Sequence, residues 1–131
     1  MNKDDQMKVF TTLRDEFNNR CQQDQTFFHN VCHFNKTMQF TVSDSGDTYH
    51  FRIENGRAGD VIEGPATKPD VSMDAPMKKI LGILVGQIPP TRIIMEPSVK
   101  IRGAPQDLMF INKFLLKETP RIREIIKTLD I

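Results

Sequence analysis

Four side chains in the first third of the chain have the chemistry of a metal site. His29 and His33 are four residues apart, so on a helix they share a face; Cys32 sits beside them and Cys21 lies upstream. A zinc site needs four convergent ligands, and structural sites use tighter paired spacings than these. The spacing therefore predicts a capping role and a buried thiol instead of a metal site. Cys32 and His33 also pair a nucleophile with a base, but adjacent helical residues point in different directions and no acid is placed to orient the imidazole. Asp70 and Asp74 flank a strand end, where carboxylates cap backbone N–H groups more readily than they act as general bases. The glycines fall at turns and helix ends, with no phosphate-cradling loop and no nucleophile elbow. These residues predict no catalytic group, no metal and no cofactor.

The charges speak to partners. Lys117, Arg121, Arg123 and Lys127 give the C-terminal region a basic side, which reads as a solvated face or, more sharply, as a transient contact with an anionic membrane surface. Eighteen basic and 17 acidic residues leave a net charge of +1, which argues against a nucleic-acid partner. Two cysteines make no disulfide framework, and the polar N-terminus does not read as a secretory leader. A reduced, cytoplasmic setting is expected. No apolar run approaches the ~20 residues of a membrane helix. The 131 residues predict one domain, 1–131, with a real core. Seven methionines and nine phenylalanines, with no tryptophan, suit irregular apolar space.

With so little reactive chemistry, the informative stretch is 69–103. Asp70 to Met73 reads as a short strand. Asp74 is a plausible N-cap, and Pro76 suits a first helical turn. Met77, Ile80, Leu81, Leu84, Val85 and Ile88 follow at helical spacing, and Ile83 lies off that face. Such a helix is apolar nearly all round and must be covered on two sides. A sheet supplies one cover; another helix, a partner chain or an apolar ligand supplies the other. Val99 to Gly103 reads as a further strand.

The remaining elements follow in chain order. Asp4 or Asp5 caps a first helix whose stripe is Met7, Phe10, Leu13, Phe17 and Cys21. Residues 24–34 read as a short helix or helical turn. Thr37–Val42 and Thr48–Glu54 alternate as strands, with Met38, Phe40, Val42, Tyr49, Phe51 and Ile53 inward. Asn55-Gly56 is a two-residue hairpin signal. Regular pairing beyond it would set Tyr49 against Ile62 and turn Asp60 into the apolar side, so a bulge near Gly59 is expected. Leu108, Ile111 and Leu115, with Phe110 and Phe114 beside them, mark another helix, and Pro120 breaks the chain before a last one over Arg121–Leu129. The order predicts an α+β fold in which helices cover one sheet.

Several of these segments together resemble the sterol carrier protein-2 family: Asn55-Gly56-Arg57 at a hairpin, Lys68-Pro69-Asp70-Val71-Ser72-Met73, Leu84-Val85-Gly86-Gln87 before Pro89-Pro90, and Val99-Lys100-Ile101-Arg102-Gly103 before a helix. The resemblance spans roughly 34–114. It implies a single five-stranded, mostly antiparallel sheet covered on one face by helices, with an apolar cavity between the layers that holds acyl chains or sterols. Glu96-Pro97-Ser98 and Ala104 depart from the glycine and the acidic residue that family members often carry there. The chain ends Leu129-Asp130-Ile131, unlike a peroxisomal Ser-Lys-Leu ending.

Periodicity and resemblance together nominate Met73, Met77, Leu81, Leu84, Ile88, Ile94, Met95, Phe110 and Phe114 as ligand-binding wall residues. Ile80, Val85 and Ile101 are assigned to packing on the sheet side. The expected function is non-catalytic carriage of a fatty acyl chain, sterol or isoprenoid-type lipid by a monomer or homodimer. The alternative is an interaction or dimerisation module whose apolar helix faces are covered by another subunit. Residues 120–131 read as a movable cover, a piece of core or a subunit contact.

Overall fold

The computed structural model describes residues 2–85, 87–88, 90–93, 95–111, 113, 124 and 127. Helix α1 spans Lys3–Gln23 and α2 spans Gln25–Val31; strands β1 (Lys36–Val42) and β2 (Asp47–Glu54) follow. Two short segments, β3 (Arg57–Ala58) and β4 (Ile62–Glu63), then run back along β2. Next come β5 (Val71–Ala75), α3 (Met77–Leu84), α4 (Pro90–Ile93), β6 (Lys100–Arg102) and α5 (Pro105–Phe110). The sheet order is β3-β2-β1-β5-β6, with β4 also on β2, so six segments fill five positions. Among the described residues only β1 and β5 pair in parallel; every other pair is antiparallel.

Alternation determines which face is buried. Met38, Phe40 and Val42 on β1, Tyr49, Phe51 and Ile53 on β2, and Val71, Met73 and Ala75 on β5 are all buried. The register sets Met38 between Phe51 and Val71, and Phe40 between Tyr49 and Met73, so one apolar sheet face is continuous across three strands. Helix α1 lies on it. The Phe10 ring is 4.9 Å from Phe40 and 5.1 Å from Tyr49, and Phe17 meets Phe27 of α2 edge to face at 5.7 Å. The α1 stripe read from the sequence holds at Phe10, Leu13 and Phe17, while Met7 and Cys21 are only half-buried. Gln6, absent from that stripe, is buried as well. Its Oε1 accepts from the Tyr49 hydroxyl at 2.8 Å, and its amide donates to Ser45 Oγ at 3.2 Å. The cap of α1 is Asn2, whose side chain accepts from Asp5 N–H at 2.8 Å; Asp4 and Asp5 sit in the first turn, where negative charge favours the helix dipole.

The hairpin carries the expected bulge. Asn55 (φ 52°) and Gly56 (φ 75°) make the two-residue turn. Ile53 faces Ala58 but Tyr49 faces Glu63, so four steps along β2 correspond to five along the returning chain. The extra residue turns Asp60 out, its side chain 95% exposed and paired with Arg14 at 3.0 Å, and lets Val61 pack on the core. Asn18 of α1 then closes the free edge of β3. Its carboxamide donates to Ala58 O at 2.9 Å and accepts from Ala58 N–H at 2.7 Å, taking the place of a neighbouring strand.

To reach β5 the chain crosses the sheet on the face opposite α1. Gly64 O accepts from His50 Nδ1 at 2.7 Å, Ala66 N–H donates to Gln39 Oε1 at 2.9 Å, and Asp70 and Thr37 exchange bonds of 2.8 and 3.0 Å. Residues 64–70 thus strap the polar face, and Asp70 does cap a backbone N–H, that of Thr37.

Candidate functional site

The apolar stretch after β5 is placed by its ends. Asp74 is not a helix cap; it is the fourth residue of β5, and Pro76 occupies the cap position of α3. A proline offers no side-chain acceptor, so the partner comes from elsewhere: Asp44, in the turn after β1, accepts from Met77 N–H at 3.3 Å, beside a bond from Ser43 N–H to Ala75 O at 3.0 Å. The β1–β2 turn therefore fixes where α3 begins.

Helix α3 buries Met77, Ile80, Leu81, Gly82, Ile83 and Leu84, so it is apolar on more than one side, as its sequence requires. It ends sooner than the hydrophobic spacing suggests. Val85 is the C-cap, and Ile88 lies beyond the helix in a turn that folds back on it. Gln87 and Ile88 both donate their N–H to Gly82 O, at 2.8 and 3.1 Å, and a Cβ at position 82 would sit 3.2 Å from Ile88 Cδ1. A glycine inside a helix costs about 1 kcal/mol against alanine, and here its bare surface seats Ile88. Lys79 reaches past this turn to Glu96 at 3.1 Å, a half-exposed pair worth about 1 kcal/mol at most.

The nominated wall residues fall into three groups. Met73 on β5 and Met77, Leu81 and Leu84 on α3 are buried in one apolar cluster, with Ile88 half-buried against it. Each fully buried side chain of this size contributes ~1.5–3 kcal/mol. Met95 stands apart, 80% exposed, and Phe110 is half-buried with its ring stacked on Phe34 at 3.8 Å and 5°. Ile94 and Phe114 lie outside the described residues. Of the residues assigned to sheet packing, Ile80 and Val85 are buried, while Ile101 is itself a strand residue of β6 registered beside Met73.

Sequence reasoning passed over two residues here. Ile93 of α4 is buried in the same cluster, and the signal for it was Pro90, well suited to a first helical turn after the Pro89-Pro90 break. Phe34, ahead of β1, holds α5 through the Phe110 stack. Lys36 adds an ion pair of 3.6 Å to the buried Asp107 in the first turn of α5. The ring pair contributes ~0.5–1.5 kcal/mol beyond its buried area.

The reactive side chains are not gathered. His29 and His33 are exposed, and Cys32 Sγ donates to His29 O at 3.5 Å in a local cap. Among the described residues no group of three or more His, Cys, Asp or Glu side chains is placed to hold a metal ion. Burial pushes the Cys21 thiol up to about 11, so it stays neutral. No described helix is long and apolar enough to cross a membrane.

Comparison with solved structures returns this fold. The sterol carrier protein domain 2 of Helicoverpa armigera superposes with a TM-score of 0.60 at 17% identity, covering 100% of this chain and 97% of that one. Palmitated SCP2L2 from Aedes aegypti matches at 0.58 and 12% identity, over 82% of this chain and 94% of its own. The stereoselective inverting sec-alkylsulfatase from Pseudomonas sp. matches at 0.59 and 17% identity over 71% of this chain; only 15% of that longer protein is involved. Among curated sequences none matches significantly. The pattern of the SCP-2 sterol transfer family fits residues 17–115, from within α1 to beyond α5, and the chain belongs to that family.

Proposed function

We propose that this protein binds and carries a hydrophobic ligand, a fatty acyl chain, sterol or isoprenoid-type lipid, in an apolar cavity between sheet and helices, without catalysis. Family membership over residues 17–115 carries the reading. Met73, Met77, Leu81, Leu84 and Ile88 are the proposed wall, joined by Phe110 beside Phe34; four of the first five are buried together on β5 and α3. Ile94, Met95 and Phe114 complete the proposed set. The palmitated state of the Aedes aegypti structure favours an acyl chain among the three ligand classes.

The mechanism is partition. Each methylene that leaves water gains ~0.8 kcal/mol, so about fourteen of them supply ~11 kcal/mol. Ordering of the chain and its extraction from a membrane offset part of that gain. The carrier acts in the cytoplasm as a monomer or homodimer and meets anionic membrane surfaces transiently. The free thiols of Cys21 and Cys32 support a reducing compartment.

Native mass spectrometry of gently purified protein, followed by extraction and identification of the adduct, tests the reading. Extra mass matching a lipid supports the carrier. A clean dimer without adduct overturns it in favour of an interaction module.

A further inference from the structure

A concavity lies away from β5 and α3, where the last turns of α1, helix α2 and the β2–β3 turn meet. Asn18, Cys21, Gln22, Phe28, Asn55, Gly56 and Arg57 line it, and its volume is about 290 Å³. That is at the lower end of the ~300–1,000 Å³ typical of small-molecule sites. We propose that this groove binds a small carboxylate with a flat apolar body.

Charge is the first argument. Among the described residues of the lining, Arg57 is the one ionised group, and no carboxylate joins it. Its guanidinium is exposed and makes no ion pair or hydrogen bond among the described residues. A guanidinium presents parallel N–H donors matched to the two oxygens of a carboxylate. Gln22 and Asn55 also line the groove, and a carboxamide can donate further bonds. The Cys21 thiol is held neutral by burial, so it does not repel an anion.

Shape is the second argument. Phe28 lines the groove, half-buried, with its ring laid against Gly56; a Cβ at Gly56 would lie 2.3 Å from a ring carbon, so only glycine admits the ring there. A flat apolar body can lie on that ring while its carboxylate reaches Arg57. The walls are also tied to each other. Asn18 bridges α1 to Ala58 through two bonds of 2.7 and 2.9 Å, and Asn55 N–H donates to Asn35 Oδ1 at 2.9 Å. The groove is therefore preformed, which lowers the ordering cost of binding.

The test is a titration of the ¹⁵N-labelled full chain with sodium benzoate, followed by amide chemical shifts, with benzamide and sodium acetate as probes lacking the charge or the ring. Saturable shifts at Gln22, Asn55, Gly56 and Arg57 are expected with benzoate, and about tenfold weaker binding of either other probe. Arg57→Gln should weaken benzoate about tenfold and leave benzamide unchanged, while Arg57→Lys keeps part of the affinity. The same spectra report whether each variant is folded. Benzoate shifts scattered away from these four amides, or equal binding by wild type and Arg57→Gln, would overturn the proposal. Acetate matching benzoate would remove the aromatic contact from it and so overturn the ligand class. None of these readouts passes through the lipid site, so the two functional readings fail independently.

Discussion

Leu84→Trp separates a lined cavity from a solid core. Leu84 is 1% exposed in the last turn of α3, so an indole placed there has no route to solvent. In a solid core the added ring displaces its buried neighbours, and overpacking costs about 1–3 kcal/mol. For a domain of this length, about 2 kcal/mol lowers Tm by roughly 6–10 °C. If the residues around Leu84 instead border free volume, the ring occupies it and stability changes by less than ~0.5 kcal/mol, while affinity for a fluorescent fatty acid drops about tenfold or more. Calorimetry reads the first quantity and ligand titration the second. The wild-type chain has no tryptophan, so emission from the new residue reports its own environment and is quenched or transferred when a fluorescent lipid arrives. A lower Tm with unchanged lipid affinity would refute the assignment of Leu84 to a ligand wall.

Other expectations follow from single contacts. Asn18→Ala leaves the buried Ala58 N–H and C=O without their partner and should cost about 2 kcal/mol in chemical denaturation, with faster hydrogen exchange at Ala58. Gly82→Ala trades ~1 kcal/mol of helix propensity against contacts of 3.2 and 3.3 Å with the end of the flexible Ile88 side chain. The gain should win by a few tenths of a kcal/mol, and a fall in Tm would show that Ile88 cannot yield. Tyr49 is buried, and burial, with the Asp47 and Glu63 carboxylates, raises its pKa above the ordinary value of 10. The unfolded chain therefore ionises first, and the stability present below pH 10 should decline as pH rises through the folded value. Tyr49→Phe should cost about 1–2 kcal/mol at pH 7 through the lost bond to Gln6 and flatten that alkaline decline; an equally steep decline in the variant would assign it elsewhere.

What could be read from the sequence was local. Alternation identified the inward residues of β1 and β2, the Asn55-Gly56 pair located the hairpin, and the cost of burying Asp60 located the bulge at Gly59 and explains why Ile62 ends up outside. Errors arose where a partner lay far along the chain. The acceptor for the first N–H of α3 is Asp44, more than thirty residues before Met77, so Asp74 looked like the nearest candidate. Ile88 keeps the helical spacing, yet Gly82 accepts two backbone bonds from the turn beyond the helix, and such a reversal leaves no periodic mark. Ile93 shows the same limit: it is buried, yet nothing in its apolar run sets it apart from the exposed Met95. The strap at 64–70 leaves no pattern in the sequence because its bonds go to His50, Gln39 and Thr37 on strands already passed.

The parallel pairing of β1 with β5 has a kinetic consequence. Met38 meets Phe51 after a short excursion of chain but meets Val71 only after the strap has crossed the sheet. Closure entropy grows slowly with loop length, so the extra cost is only about 0.8 kcal/mol. The more local contacts are nevertheless the cheaper to close first. The β1–β2 hairpin with α1 can collapse first around Phe10, Phe40 and Tyr49, and β5, α3 and β6 then dock along a ready-made strand. The late-docking block is the one that carries the proposed ligand wall. If it also opens first, amide exchange in β5, β6 and α3 would be fast while β1 and β2 stay closed, and a lipid could enter through partial unfolding without disturbing the α1 side of the domain.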